Sequence, residues 1–117
     1  MHRFAAIFAA ALLTALPAAA DFSRVQSESD FVNLIKGKTL TRPLVKLQVG
    51  TNGTITGTGA TWPVSGKWVW KDGYFCRDLK WGGDDLGYNC QEVKASDGKI
   101  RFTSDQGRGD SAEFRLR

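Results

Sequence analysis

The segment "GYFCRDLKWGGDDLGYNCQ", residues 73–91, contains both cysteines of the chain and decides the fold that we expect. Its two halves flank a centre rich in glycine and aspartate, which is typical of a β-hairpin. A turn around Gly83-Asp84 places Cys76 directly opposite Cys90 on adjacent antiparallel strands, at a separation that a disulfide can span. The spacing therefore predicts a hairpin with a Cys76–Cys90 disulfide.

The two cysteines have two other interpretations, a metal pair and a redox dithiol. Two thiolates without a histidine or further cysteines fall short of a four-ligand zinc site, and the spacing is not C-x-x-C. A disulfide closing residues 76 to 90 stabilises a small domain by about 3 kcal/mol on chain-entropy arithmetic. We therefore expect a structural disulfide and no metal site.

The same hairpin predicts a candidate binding site, because successive side chains of a strand point to opposite faces. If the aromatic residues Trp68, Trp70 and Phe75 face the interior, Arg77, Asn89 and Gln91 face it as well. An inward arginine flanked by two amides and aromatic walls suits a small polar or anionic ligand. The alternative is a single buried arginine satisfied by backbone carbonyls, or by Asp78 or Asp85 near the rim.

Three further hairpins are predicted from alternating apolar residues and turn residues. In "LVKLQVGTNGTITGTG", residues 44–59, a loop at 51–53 pairs Val49 with Ile55 and Leu47 with Gly57. A turn around 71–73 pairs Trp68 with Phe75 and Gly66 with Arg77. An Asp97-Gly98 turn pairs Val93 with Phe102 and Ala95 with Ile100, and Phe114 and Leu116 share a face of the last strand.

These hairpins predict a mainly β fold, an antiparallel meander of about seven or eight strands. Closure into a small up-and-down barrel removes the exposed edges, with the last strand beside the first one after a short N-terminal helix. An open sheet or a two-layer sandwich is the alternative. The helix is expected at about residues 28–36, capped by Ser27, with Phe31, Leu34 and Ile35 on one face.

The N-terminus "MHRFAAIFAAALLTALPAAAD" has the basic start, apolar run and small-residue site of a secretory signal peptide. The apolar run from Phe4 to Leu16 is shorter than the ~20 residues of a membrane span, although an uncleaved anchor is the alternative. We expect cleavage at about Ala20-Asp21, a single domain at residues 21–117, and a periplasmic or secreted location without a stable membrane span.

Composition limits the chemistry of the expected mature chain. It has no histidine, which excludes Ser-His-Asp and Cys-His catalysis. The carboxylates Asp78, Asp85 and Glu92 fall mostly in turns or on outward faces, and "GTGATW" at 57–62 lacks a dinucleotide fingerprint. Losing Arg3 lowers the formal net charge from +4 to +3, and the basic residues are scattered along the sequence. We expect no catalytic residues, no cofactor and no nucleic acid partner.

Three segments resemble a family of small exported bacterial proteins whose members often carry the label dihydrodipicolinate reductase. They are "LTRPLVKLQV", "G-x-W-x-W-x-x-GYFCRDL-x-WGGDDLGYNCQ" and "KIRFTSDQG", and the resemblance runs from about residue 39 to the C-terminus. The label implies a cytoplasmic, nicotinamide-dependent Rossmann enzyme. This sequence departs from it in length, export signal, strand pattern and the missing phosphate-binding glycines, so we interpret the label as a propagated error.

The sequence therefore predicts an exported, non-catalytic β-barrel that binds a small polar or anionic ligand of unknown identity. The predicted ligand-binding residues are Trp68, Trp70, Phe75, Arg77, Asn89 and Gln91. The alternative is an envelope module that binds another protein through Trp62, Trp81, Tyr74 and Tyr88. The reductase activity of the family label is the third candidate.

Overall fold

The computed structural model describes residues 21–117, and the predicted signal peptide lies outside the described residues. This part of the chain forms nine strands and two short helices, numbered here in chain order. The strands are β1 Ser23–Arg24, β2 Leu40–Arg42, β3 Val45–Val49, β4 Thr54–Gly59, β5 Trp62–Lys71, β6 Tyr74–Trp81, β7 Asp84–Ser96, β8 Lys99–Thr103 and β9 Ser111–Leu116. The helices are α1 Glu28–Ile35 and the four-residue segment α2 Ser104–Gly107, in which Asp105 and Gln106 have left-handed backbone angles.

Strands β2 to β9 form a closed, eight-stranded antiparallel barrel. Each strand pairs with the next along the chain, and β9 pairs with β2 to complete the circle. The long strand β7 pairs with β6 over its first part and with β8 over its last part, where β1 also pairs with it. The predicted up-and-down barrel is therefore confirmed, with one additional strand.

The disulfide hairpin has the predicted register over most of its length. Cys76 lies opposite Cys90, Arg77 opposite Asn89, and the two cysteines form a disulfide. A bulge after Leu79 shifts the register near the tip, so that the turn lies at residues 82–83 instead of 83–84. Because the bulge comes after residue 79, the orientation of Arg77 is unaffected.

The β3–β4 and β7–β8 hairpins also have the predicted register, including Val49 opposite Ile55 and Val93 opposite Phe102. The predicted β5–β6 register is wrong by two residues, because Trp68 lies opposite Arg77 instead of Phe75. Asp72 and Gly73 both have positive φ, 53° and 84°, and form a tight two-residue turn. A slip of two residues leaves every side chain on its predicted face.

Helix α1 forms where the sequence predicted a helix, and Ser27 caps it by accepting a hydrogen bond from the Asp30 amide at 3.2 Å. The helix follows β1, so it is not the first element of the described chain. Phe31 and Ile35 are almost completely buried, at 0% and 1% exposure. Among the described residues, no helix is long and apolar enough to cross a membrane.

Phe31 is the centre of the aromatic part of the core. Its ring centroid lies 5.1 Å from Trp70, 5.1 Å from Phe75, 5.3 Å from Trp68 and 6.3 Å from Phe102. Aromatic pairs at these separations are favourable beyond the apolar area that they bury. The helix therefore closes one end of the barrel with an aromatic plug.

Candidate ligand-binding cavity

The two ends of the barrel differ in what covers them. In an up-and-down barrel, alternate connections lie at the same end. Helix α1 covers the end with the β3–β4, β5–β6 and β7–β8 turns, where Arg24 donates to the Gly73 carbonyl at 2.9 Å and Trp70 to the Gln26 carbonyl at 3.4 Å. The connections at residues 43–44, 60–61, 82–83 and 104–110 surround the other end, here called the mouth.

A cavity of about 280 Å³ lies inside the barrel on the mouth side of the aromatic plug. This volume is at the lower end of the ~300–1,000 Å³ of small-molecule sites. Its walls are mainly apolar and come from six strands: Leu40, Leu47, Val49, Ile55, Phe75, Leu79, Phe102, Ala112 and Phe114. The polar lining residues are Arg77, Gln91, Ser104, Asp110 and Ser111. This is an apolar chamber with a few polar groups.

Arg77 is the one cation among these lining residues, and its hydrogen bonding is incomplete. Its Nη1 donates to the Gly87 carbonyl at 2.8 Å, whereas its buried Nε has no hydrogen-bond partner. Within residues 21–117, no carboxylate oxygen lies within 4.0 Å of the guanidinium. Burial lowers the pKa of Arg77, and the nearby charge of Asp78 opposes this effect. A bound anion would complete the pairing of the guanidinium.

Asn89 and Gln91, the two amides predicted to face the ligand, hold the loop at the mouth. Gln91 lines the cavity and donates from Nε2 to the Ser104 hydroxyl at 3.1 Å. Asn89 donates to the Asp105 carboxylate at 2.8 Å and accepts from the Asp105 amide at 2.9 Å. Asp105 and Gln106 have φ of 55° and 57°. The amides therefore fix a left-handed turn that L-residues adopt at a cost.

Trp68 and Trp70 lie deeper than the cavity and pack in the aromatic plug. Trp68 is 5% exposed, and its indole donates to the Gly50 carbonyl at 2.9 Å. Phe75 separates the plug from the cavity, because it contacts Phe31 and also lines the cavity wall. Of the six predicted site residues, the structure brings Phe75, Arg77 and Gln91 together at the cavity. The other three lie outside it: Asn89 binds the loop at the mouth, and Trp68 and Trp70 pack in the aromatic plug.

Three polar lining residues were missed in the sequence, namely Ser104, Asp110 and Ser111. They lie at the two ends of the β8–β9 connection, which the sequence showed only as a turn-rich segment. Ala112, also missed, points into the cavity one residue later. Ala112 could have been found from the sequence, because it lies two residues before the inward-facing Phe114 on β9 and therefore shares its face. A small residue on an inward face leaves space inside a barrel.

The disulfide lies outside the cavity. Cys76 is on the face of β6 opposite to Phe75 and Arg77, and it is 1% exposed. Tyr88 lies beside the bond, with its hydroxyl 3.4 Å from the Cys90 sulfur. The cross-link therefore joins β6 to β7 directly beside the strand position that carries Arg77.

The acidic residues considered in the sequence do not converge on one cleft. Asp85 accepts a hydrogen bond from the Gly87 amide at 2.9 Å, and Glu92 lies 3.8 Å from both Arg24 and Lys94. Asp78 is exposed. Within the described part of the chain, no group of three or more His, Cys, Asp or Glu side chains is placed to hold a metal ion.

Comparison of the chain with protein-family models, with curated proteins and with solved structures finds no match.

Proposed function

We propose that this protein is a small β-barrel binding protein that holds a small anionic amphiphile in the barrel. The acidic group of the ligand pairs with Arg77, and its apolar part lies between the aliphatic and aromatic side chains of the cavity. The observation that carries the proposal is the unpartnered Nε of Arg77 beside a largely apolar cavity of about 280 Å³.

The charge of the ligand follows from the environment of Arg77. A buried polar group without a partner costs folding free energy, and an ionised group costs more than a neutral one. A carboxylate or a similar anion offers two acceptor oxygens that match the guanidinium geometry, whereas a neutral ligand leaves the charge unpaired. Asp110, the carboxylate among the lining residues, lies too far away for an ion pair with Arg77.

The apolar walls and the volume define the remainder of the ligand. Nine of the lining residues are apolar, and they enclose a space that suits a short alkyl chain or one or two rings. The mouth is the way in, because α1 covers the opposite end of the barrel with its buried Phe31.

Octanoate and 1-octanol are matched probes for this site, because they share an apolar tail and differ in charge. We expect isothermal titration calorimetry to detect octanoate binding and much weaker octanol binding. Arg77→Met should weaken octanoate about 10- to 100-fold, since a hydrogen bond to a charged group contributes ~1.5–3 kcal/mol. Lys67→Met, which removes an exposed cation on the outer face of β5, is the control and should bind as the parent does.

Equal affinities for the two probes, or equal losses in the two variants, would contradict an anion site at Arg77. Saturating octanoate should also raise the melting temperature of the parent, because a ligand that binds only the folded state stabilises it. The same octanoate concentration should raise the melting temperature of Arg77→Met clearly less than that of the parent.

We further propose that the protein works in the periplasm or outside the cell. The signal-like N-terminal sequence supports this location, and the Cys76–Cys90 disulfide is compatible with it, since disulfides persist mainly in oxidising compartments. The intact mass of the protein isolated from its own cells tests it. A chain that begins at Asp21 and lacks two hydrogens is expected, whereas an intact N-terminus or free thiols would contradict export.

One observation favours binding of an envelope protein as a second candidate function. Trp62 and Trp81, 59% and 39% exposed, line a surface cleft of about 290 Å³ together with Gly82, Gly83 and Asp84. Trp81 is fixed by donating to the Gly59 carbonyl at 2.9 Å. Exposed tryptophans in a preformed cleft are typical anchors for a partner protein.

The other two aromatic residues predicted for this surface differ from each other. Tyr88 is 60% exposed, whereas Tyr74 is half-buried with the Arg24 guanidinium 4.8 Å from its ring centroid. A photo-crosslinking residue at position 62 should capture one defined protein in living cells, and the same residue at position 67 should not. Capture at both positions, or at neither, would contradict this second function.

A further inference from the structure

A large basic groove lies on the outside of the barrel, separate from the ligand cavity. Its volume is about 1,050 Å³, and strands β2, β3, β4, β8 and β9 form its floor and sides. The cations that line it are Arg42, Lys46, Lys99, Arg115 and Arg117. Phe114 is the one residue shared with the lining of the cavity, so an inference about the groove does not depend on the proposed ligand.

The strand register gathers these cations from distant parts of the sequence. Thr58 lies opposite Lys46, Lys46 opposite Thr41, Thr41 opposite Arg115, and Arg115 opposite Lys99. Residues directly opposite each other share a face of the sheet, and adjacent strands lie ~4.8 Å apart. One row across five strands therefore presents three cations and two hydroxyl groups to the groove.

Like charges directly opposite each other destabilise a sheet, and Arg115 and Lys99 form such a pair. Within residues 21–117, none of the five cations of the groove has a carboxylate oxygen within 4.0 Å. Glu113, the acidic residue of the groove, already pairs with Arg101 at 3.1 Å. A bound anion would relieve this repulsion.

The neutral residues of the groove indicate what kind of anion fits. Thr39, Thr41, Thr58 and Gln48 also line it and offer hydroxyl and amide groups, which hydrogen-bond well to sugar hydroxyls. The aromatic lining residue is Phe114, which is 8% exposed and lies beneath the Arg42 guanidinium at 5.6 Å. Single-stranded nucleic acids are bound largely by stacking on exposed aromatic rings, and among residues 21–117 the lining of the groove offers no exposed aromatic ring.

We infer that the groove binds an anionic polysaccharide, whose carboxylate or sulfate groups pair with the cations and whose hydroxyl groups bond to the threonines and Gln48. The volume of the groove and the length of the five-strand row suit several sugar units. The binding surface of the protein then includes an extended polyanion site on its outside in addition to the small cavity within.

Hexagalacturonate and a dextran sulfate oligomer are suitable probes, with neutral maltohexaose and a twelve-nucleotide oligothymidylate as comparisons. We expect fluorescence-polarisation binding of at least one anionic glycan at low salt and no binding of maltohexaose. Because the site is exposed, binding should fall steeply as salt is raised and screens the charges.

A matched pair of double variants distinguishes binding in the groove from a general effect of net charge. Lys46→Gln with Arg115→Gln removes two groove cations, whereas Lys67→Gln with Lys71→Gln removes two exposed cations from the outer face of β5. The groove variant should lose about tenfold in glycan affinity and keep its melting temperature, because both cations are exposed and neither has a carboxylate partner within 4.0 Å. The control variant should change affinity less than twofold.

Equal losses in the two double variants would overturn the inference, because net charge alone would then explain binding. Absence of binding to both anionic glycans at low salt would also overturn it. Tighter binding of the oligothymidylate than of either glycan would replace the polysaccharide with a nucleic acid and thus contradict the inference as stated.

Discussion

Replacing Arg77 with methionine should weaken octanoate binding about 10- to 100-fold while leaving the stability of the protein almost unchanged. Methionine keeps the length and the apolar stem of the side chain and removes the guanidinium. Two opposing effects follow. The hydrogen bond from Nη1 to the Gly87 carbonyl, 2.8 Å long, is lost, while the buried Nε that lacks a partner is removed as well.

The two effects are similar in size. A hydrogen bond from a charged donor contributes ~1.5–3 kcal/mol, and a buried unsatisfied polar group costs ~1–3 kcal/mol. Removing a partly buried charge also recovers part of its desolvation cost. We therefore expect the free energy of unfolding to change by less than ~1 kcal/mol, in contrast to the ~3–5 kcal/mol that follows from breaking a well-paired buried ion pair.

Urea unfolding followed by circular dichroism measures this quantity. With m-values of ~1–3 kcal/mol per molar urea, the midpoint should move by less than ~1 M at constant m. Arg24→Met provides the contrast, because Arg24 also has an unpartnered Nε but donates to the Gly73 carbonyl, stacks on Tyr74 and faces Glu92. It should be destabilised by ~1–3 kcal/mol.

A loss of more than ~3 kcal/mol in Arg77→Met would refute this reasoning, because Arg77 would then be a well-satisfied structural arginine. This outcome would support the alternative in which backbone carbonyls, or Asp78 or Asp85, accept the hydrogen bonds of the Arg77 guanidinium. An octanoate affinity of the variant equal to that of the parent would point to the same conclusion.

Three other substitutions test the plug, the cross-link and the cavity. Phe31→Ala should lower the free energy of unfolding, measured by urea unfolding, by ~3–5 kcal/mol, because a fully buried ring is lost from the aromatic plug. A loss below ~1 kcal/mol would contradict the role of Phe31 in the plug. Replacing Cys76 and Cys90 with serine should cost ~3 kcal/mol by the same assay, and reduction of the parent protein should match it, whereas unchanged stability would contradict a structural role. Ala112→Leu should fill the cavity, abolish octanoate binding in calorimetry and stabilise the fold by up to ~2 kcal/mol; unchanged binding would place the ligand elsewhere.

The inward and outward faces of the strands could be predicted because the chain alternates strongly between apolar and polar residues. The spacing of the two cysteines gave the disulfide hairpin and the position of Arg77 opposite Asn89, whereas the alternating pattern gave the barrel. It does not distinguish registers that differ by two residues, which is why the β5–β6 pairing was wrong. The Asp72-Gly73 turn decides that pairing, since positive φ at both positions allows a two-residue connection.

The polar part of the candidate site was less predictable. Ser104, Asp110 and Ser111 reach the cavity through a left-handed turn at Asp105 and Gln106, a conformation that no periodic pattern reveals. The turn forms because Asn89 bonds to Asp105 at two points, and that pairing depends on the completed barrel.

The basic groove illustrates the same limit at a longer range. Lys46, Lys99 and Arg115 are far apart in the sequence and read there as isolated surface charges. Only the pairing of β9 with β2, which closes the barrel, places them in one row. Closure is a property of the whole chain, so no local segment predicts the charge density of this surface.

The most direct test of the central claim is native mass spectrometry of the protein expressed with its N-terminal segment and purified without denaturant or detergent. We expect a reproducible additional mass on the parent protein that is lost on denaturation and belongs to an acidic, partly apolar molecule. The same mass should be absent from Arg77→Met and present on Lys67→Met. A parent protein without added mass, or an equal added mass on Arg77→Met, would contradict an anion-binding cavity at Arg77.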